Sequence, residues 1–396
     1  LRAKVELDAT AGPGVPLREA GRDALSLALI DARNHTLRLF GLLDAALGGR
    51  GVAPALRPEL NPPLWELGHI GWFQEYWLAR NPQWRLGDRA DPDVARGVPL
   101  RDDADRLYNS SQVPHDSRWQ LPLPDADATR SDLARHLESS LQRLQTVDAG
   151  DDEAMYFFRL ALLHEDMHHE AGLYMARALD LDDADLRWQQ QPEPGARDEL
   201  EFDSASHCLG HTGPGFAFDN ECAAHEVAVP AFRIDRRVVT WRDYLPFVES
   251  GTSSVPRYLR RDGSTWLQRR HRRWQPLDLD HAACHLSGFE ARAWCDWAGR
   301  RLPTEAEWER AAESEPQRFA WGQVWEWTAS PFAPYPGFRP HPYRDYSAPW
   351  FDGRPVLRGA SHLTQPRMRH LRYRNYFTPD RSDVVAGFRS CALQGG

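Results

Sequence analysis

The sequence predicts an α+β chain, with a helical first half and a second half of short strands and many loops. Three observations predict it. Up to about residue 180, apolar residues recur with the 3.6-residue period of a helix. An acidic, proline-bearing stretch without period follows. Beyond it, short apolar runs alternate with Gly, Pro and Trp. The 396 residues suit two domains, placed at 1–180 and 201–396 with a linker at 181–200.

Arg22 to Leu47 places Leu25, Leu29, Ala32, Thr36, Leu39 and Leu43 along one stripe, and Gly48-Gly49 ends it. Asn61-Pro62-Pro63 introduces a second helix, Leu64 to Arg80, because a proline at a helix start forfeits no hydrogen bond. Ser131 to Thr146 reads as a third, with Ser131 as its N-cap. Glu153 to Leu179 is a longer fourth. Four helices with long connections suggest an antiparallel bundle. In the second half, His225 to Asp235 reads as short strands and Leu286 to Gly299 as a helix. Thr304 to Glu313 reads as another helix, with Thr304 and Glu307 as a capping box. Residues 320–396 read as mostly loop, and no internal repeat stands out.

Composition excludes several function classes. There are 48 basic and 57 acidic residues, a net charge of −9, and Lys4 is the only lysine. Interspersed charge with an acidic excess argues against nucleic-acid partners. No run approaches about 18 uncharged apolar residues, so no membrane span is expected. Five widely spaced cysteines without a CxxC argue against a disulfide framework. Without a leader pattern either, the expected compartment is the cytoplasm. Sixteen tryptophans point to cores, stacking platforms or interfaces.

The sharpest motif is His164-Glu165-Asp166-Met167-His168-His169-Glu170. His164 and His168 are four apart on a helix, so their rings can converge on one ion. A third ligand must come from another helix, and His69, flanked by Gly68 and Gly71, is the best candidate. Among 16 histidines, such a pair can also arise on a solvated face. His169 points about 100° away and reads as a group behind the ligands or on the surface. Glu170 could orient a ligand imidazole or form an exposed salt bridge. Three histidines without a carboxylate or thiolate leave open positions, which implies a catalytic zinc or iron site.

With these residues the chain resembles the sulfoxide synthases of ergothioneine biosynthesis (EgtB-type). Its first half resembles their DinB-like four-helix bundle. Its second resembles their formylglycine-generating-enzyme-like (C-type-lectin-like) module. That likeness rests on an ordered set: Arg300-Arg-Leu-Pro-Thr-Glu-Ala-Glu-Trp-Glu, Val324-Trp-Glu-Trp-Thr-Ala-Ser-Pro, Tyr335-Pro-Gly-Phe, Val356-Leu-Arg-Gly-Ala-Ser, Tyr373-Arg-Asn-Tyr-Phe and Ala386-Gly-Phe-Arg. The resemblance implies a non-haem Fe(II) site at His69, His164 and His168, with O2 as co-substrate. It implies formation of a chalcogen–carbon bond on the imidazole of hercynine, an N-trimethylated histidine. Tyr343 and Tyr346 sit where the family has active-site tyrosines, with Tyr343 the candidate proton or hydrogen-atom donor. Asn375 and Tyr376 resemble the contact to the trimethylammonium–carboxylate end of hercynine.

The departures concern the second substrate. Phe377 stands where users of γ-glutamylcysteine carry an acid, although Arg381 is kept nearby. The loop Leu107 to Trp119 lacks the family's arginine pair, and Met167 replaces a frequent glutamine. This combination looks most like the selenoneine synthase branch (SenA), which uses a selenosugar donor. His115, Arg118, Trp119, Met167, Phe377 and Arg381 become expected donor-pocket residues. The alternatives are γ-glutamylcysteine or cysteine as donor, a zinc thiol transferase of DinB type, or a non-catalytic binding module. The expected partners are small molecules, and oligomeric state is left open. Cys284, Cys295 and Cys391 read as buried apolar groups, with Cys284 and Cys295 in a helical region.

Overall fold

The computed structural model describes residues 15–393, apart from 50, 149, 182–187, 194–196 and 271. Four long helices among them form the first half: α1 (Arg22–Ala46), α2 (Pro63–Gln74), α3 (Ala126–Leu144) and α4 (Tyr156–Ala178). The stripe on α1 is buried as the period requires. Its polar member, Thr36, donates to the Glu165 carboxylate of α4 at 2.8 Å. Arg33 donates to the same carboxylate at 2.9 Å, to Gln74 Oε1 at 2.8 Å and to the Leu133 carbonyl at 2.6 Å. One buried guanidinium therefore ties α1 to α2, α3 and α4, and burial strengthens each bond by excluding water.

Two helix starts differ from the sequence expectation. α3 begins five residues before Ser131, because Asp125 accepts from the Ala128 amide at 2.8 Å and caps it there. Ser131 is thus interior. α4 begins at Tyr156 rather than Glu153, since Asp151 and Glu153 serve in preceding turns. α2 continues through a π-helical turn, Glu75–Ala79.

The second half starts with strand β1 (Glu199–Phe202). With β4 (Phe232–Asp235), β13 (Cys391–Ala392) and β8 (Arg300–Arg301) it forms a sheet in the order β1-β4-β13-β8. A second sheet has the order β11-β10-β9-β12, built from Asn375–Tyr376, Pro355–Gly359, Trp325–Pro331 and Ala386–Gly387. Two ribbons complete it: β2 (Ala205–Leu209) with β3 (His225–Val229), and β5 (Leu259–Asp262) with β6 (Thr265–Arg270) and β7 (Arg273–Pro276). The loop-rich C-terminal stretch therefore contains the whole second sheet. α5 (Trp241–Glu249), α6 (Gly288–Trp297) and α7 (Glu305–Ser314) all start with capping boxes, including the expected Thr304–Glu307 pair.

Much of the expected linker lies outside the described residues. Its described part is anchored: Gln190 Nε2 donates to the Ala282 carbonyl at 2.8 Å. All five cysteines are free. Cys284, Cys295 and Cys391 are buried, but Cys284 precedes α6 instead of lying in a helix. No described helix is long and apolar enough to cross a membrane.

Candidate metal centre and substrate cleft

The centre is assembled from α2 and α4. His69, His164 and His168 each bring one ring nitrogen within 4.8 Å of the others. The Nε2 atoms of His164 and His168 are 3.2 Å apart. His69 and His164 are almost fully buried, and His168 is partly buried. Burial, reinforced by the charge of His168, pushes the His69 pKa down to about 3. Burial likewise holds His164 well below its ordinary value. Both rings are thus neutral near pH 7, as metal ligation requires.

The outer nitrogens of His69 and His168 are held by specific partners, whereas the buried Nδ1 of His164 has none among the described residues. His69 donates from Nδ1 to the Tyr108 carbonyl at 2.8 Å. His168 donates from Nδ1 to Glu66, one turn before His69 on α2. In the neutral rings that ligation requires, those bonds place the proton of His69 and of His168 on Nδ1 and leave each Nε2 lone pair facing the common centre. Burial raises the pKa of Glu66, but the charge and hydrogen bond of His168 outweigh it and leave the carboxyl below its ordinary value. A three-imidazole donor set with oriented lone pairs and no thiolate fits a divalent transition metal with open positions.

The approach of Tyr108 depends on a glycine. A Cβ at Gly68 would lie 2.3 Å from the Tyr108 ring. Trp65 secures the same segment by donating from Nε1 to the Leu107 carbonyl at 2.8 Å, and its ring stacks on His69 at 4.8 Å.

Each residue of the α4 motif faces a different neighbour. Glu165 joins the bundle network. Asp166 receives a bidentate pair from Arg367, both bonds 2.8 Å. Met167 Sδ accepts from the Tyr373 hydroxyl at 3.3 Å. His169 is buried, with its ring against His35 at 5.4 Å and Trp188 at 5.1 Å. Glu170 is buried as well and orients no ligand. It accepts from Trp325, Ser361 and Thr364 of the second half. The orienting carboxylate is Glu66. Sequence reasoning missed it, although its position three residues before His69 puts it near the same face.

A cavity of about 250 Å³ opens beside His168, between α4 and the second half. Met167, Tyr346, Asn375, Tyr376 and Phe377 line it, as do Trp325 and Tyr373. The two tyrosines that the sequence singles out are placed differently. The Tyr343 ring packs edge-on against Phe73 at 5.0 Å and lies 6.3 Å from His164. No described residue hydrogen-bonds its hydroxyl, and burial pushes its pKa up. Tyr346 stacks on Phe218 at 4.2 Å and donates its hydroxyl to Tyr373 at 3.1 Å.

Four expected pocket residues do not line this cavity. Arg381 is paired with Asp383 through bonds of 2.5 and 2.6 Å, its guanidinium 5.3 Å from the Phe377 ring centre. Arg118 lies over Trp65 at 3.9 Å and bonds Asn61, one layer behind His69. His115 bonds the Leu60 carbonyl and Trp119 the Pro54 carbonyl. These backbone partners hold that segment toward the bundle.

Residues 201–323 match the family model of the sulfatase-modifying factor enzyme 1-like domain. The whole chain is similar to the hercynine oxygenase of Mycolicibacterium smegmatis, 31% identical over 93% of this chain and 98% of that protein. The hercynine oxygenase of Mycobacterium tuberculosis is 30% identical over the same shares. The chain belongs to the hercynine oxygenase family. It is an oxidoreductase. The formylglycine-generating enzyme of Streptomyces coelicolor is 26% identical over 51% of this chain and 92% of that protein. In this hercynine oxygenase relative, the second half therefore carries the formylglycine-generating-enzyme-like fold that the ordered motifs imply. Its Trp325 and Ser361, from two of those motifs, reach across to the helix that bears two of the histidines.

Proposed function

We propose that the enzyme forms a carbon–selenium or carbon–sulfur bond on the imidazole ring of hercynine, at an Fe(II) site held by His69, His164 and His168, with O2 as co-substrate and a selenosugar as preferred donor. The carrying observation is the aromatic cavity that shares His168 with the three-imidazole centre. When bound, Fe(II) supplies one-electron redox chemistry and activation of dioxygen.

The protein's own groups bind and orient. The faces of Tyr376, Tyr373 and Trp325 suit a trimethylammonium group, which cannot donate an ordinary hydrogen bond. Asn375 turns Oδ1 back to the Tyr376 amide at 2.8 Å, which leaves Nδ2 to donate to the substrate carboxylate. Tyr343 keeps a proton on an otherwise unengaged hydroxyl near His164, the better placed of the two tyrosines for proton transfer. Tyr346 positions Tyr373.

The cavity also supports the donor reading. Among the described residues that line it, the only carboxylate is Glu170, and it already accepts from three protein donors. Phe377 adds no charge, and Arg381 is engaged by Asp383. A donor amine would have to compete with those three bonds for the one carboxylate on the wall, whereas a sugar needs no counter-charge. The test is O2 uptake and product formation by Fe(II)-loaded and Zn(II)-loaded protein, with hercynine plus selenosugar, γ-glutamylcysteine or cysteine. Faster turnover of either thiol would sink the donor assignment. Absence of hercynine-dependent O2 uptake would sink the reaction.

A further inference from the structure

The β5–β6–β7 ribbon is unlike the rest of the chain. Residues 257–274 hold seven arginines and one acidic residue, in a protein of net charge −9. This ribbon takes no part in the wall of the histidine cleft. It covers the C-terminal end of α4, where it closes a second cavity of about 70 Å³, room for a handful of waters or one small anion.

Two cations on that wall form no ion pair among the described residues, and the one carboxylate there, Asp180, is paired with Arg269. Arg177, in the last turn of α4, donates to the Arg269 carbonyl at 3.2 Å, and its Nε has no partner. Arg270 donates to Gln268 Oε1 at 2.9 Å and approaches His281 Nδ1 at 3.4 Å. Two further polar atoms on the same wall, Gln190 Oε1 and the Tyr258 hydroxyl, are buried without partners; Gln190 is 5% exposed. Leaving such groups unsatisfied costs free energy, which a ligand of opposite character recovers.

Strain gathers at the same place. Among the described residues, five that are not glycine have positive φ, and three of them line this cavity: Asp180 at 63°, Tyr258 at 68° and His285 at 60°. His285 and His362 each use Nδ1 on a backbone carbonyl, of Asp383 and Gln323, both at 3.1 Å. With the protons there, both Nε2 atoms are acceptors. The wall therefore asks for negative charge at the arginines and for a donor at the imidazoles.

We infer that this cavity is a second ligand site, separate from the histidine centre, for a small oxyanion that also carries a hydroxyl. A hydrogen phosphate or phosphoryl group and a hydroxycarboxylate share that chemistry. The surrounding arginine ribbon raises the local anion concentration at its mouth.

The test is calorimetric titration of the full chain at low salt, with inorganic phosphate in one arm and glycolate in the other. One saturable site is expected. Saturation by phosphate alone identifies a phosphoryl ligand, and saturation by glycolate alone a carboxylate. Arg177→Gln is expected to weaken binding by about tenfold or more, the cost of a lost charge-assisted hydrogen bond. Arg270→Gln, on the ribbon, is expected to do the same if the first variant fails to fold. No saturable binding in either arm would overturn the inference. So would unchanged affinity in a folded variant.

Discussion

Trp325 Nε1 donates to Glu170 Oε1 across the two halves at 2.8 Å. Ser361 at 2.6 Å and Thr364 at 2.8 Å complete the set of donors on that carboxylate. Glu170 is half a turn beyond His168, so this bond fixes the second half against the histidine helix and sets the width of the cleft.

Glu170→Ala would remove the shared acceptor of three buried donors and leave Trp325 Nε1 without a partner. The expected loss of stability is roughly 1–3 kcal/mol for each donor left unsatisfied. Chemical denaturation checks it, with Trp325→Phe as the milder companion. A Glu170→Ala protein that unfolds at the wild-type denaturant concentration contradicts this role.

Glu66 and Gly68 act on the histidines from behind. Glu66→Gln removes the charge that holds the His168 proton on Nδ1. Metal affinity is expected to fall about 10–100-fold with the fold intact. Gly68→Ala pushes on the Tyr108 ring and so on the carbonyl that holds His69. It is expected to cost roughly 1–3 kcal/mol of stability and to weaken metal binding as well. Metal titration followed by thermal unfolding separates the two variants, since only the second should melt earlier in the metal-free state.

The tyrosines give a contrast within one experiment. Tyr343→Phe removes a hydroxyl without a protein partner. It is expected to lower turnover about 10²–10⁴-fold while leaving the melting temperature unchanged. Tyr346→Phe instead breaks the bond to Tyr373 and should show a smaller kinetic loss with a measurable drop in stability. Equal turnover of Tyr343→Phe and wild type would remove Tyr343 from the chemistry.

Acid sensitivity should centre on Glu309. Burial favours its protonated form, yet Arg358, His207, Arg372 and the Gly210 amide outweigh burial and bring the pKa from 4.5 to about 2. A folded pKa below the unfolded one stabilises the protein above pH 4.5, and that stabilisation disappears as pH falls toward 2. The amount is on the order of 3 kcal/mol. Glu309→Gln should lose this dependence, so its stability deficit relative to wild type narrows steadily below pH 4.5. A constant deficit across that range would contradict the assignment.

Local features are legible in the sequence. The i,i+4 spacing of His164 and His168 puts both rings on one helix face whatever packs against it. Capping at Thr304 and Glu307 is equally local, since its bonds span three residues. The start of α3 is harder to read because Ser131 and Asp125 are both competent caps; the one that fits depends on where the preceding chain arrives. Motif order identifies the second half, because that order follows the succession of strands and turns in the fold.

Residue order and spacing alone carry the helical period, the histidine pair and the family likeness of both halves. What surrounds that pair is a matter of tertiary packing. Glu66 reaches His168 across 102 residues of sequence, and Trp325 reaches Glu170 across 155. Packing likewise turns Glu170 away from the centre, leaves the Tyr343 hydroxyl unengaged and draws Arg381 to Asp383. Such outcomes depend on which distant segment occupies each neighbouring volume. Helical periodicity fixes the direction of a side chain from its own helix, and close packing of the whole chain fixes what it meets.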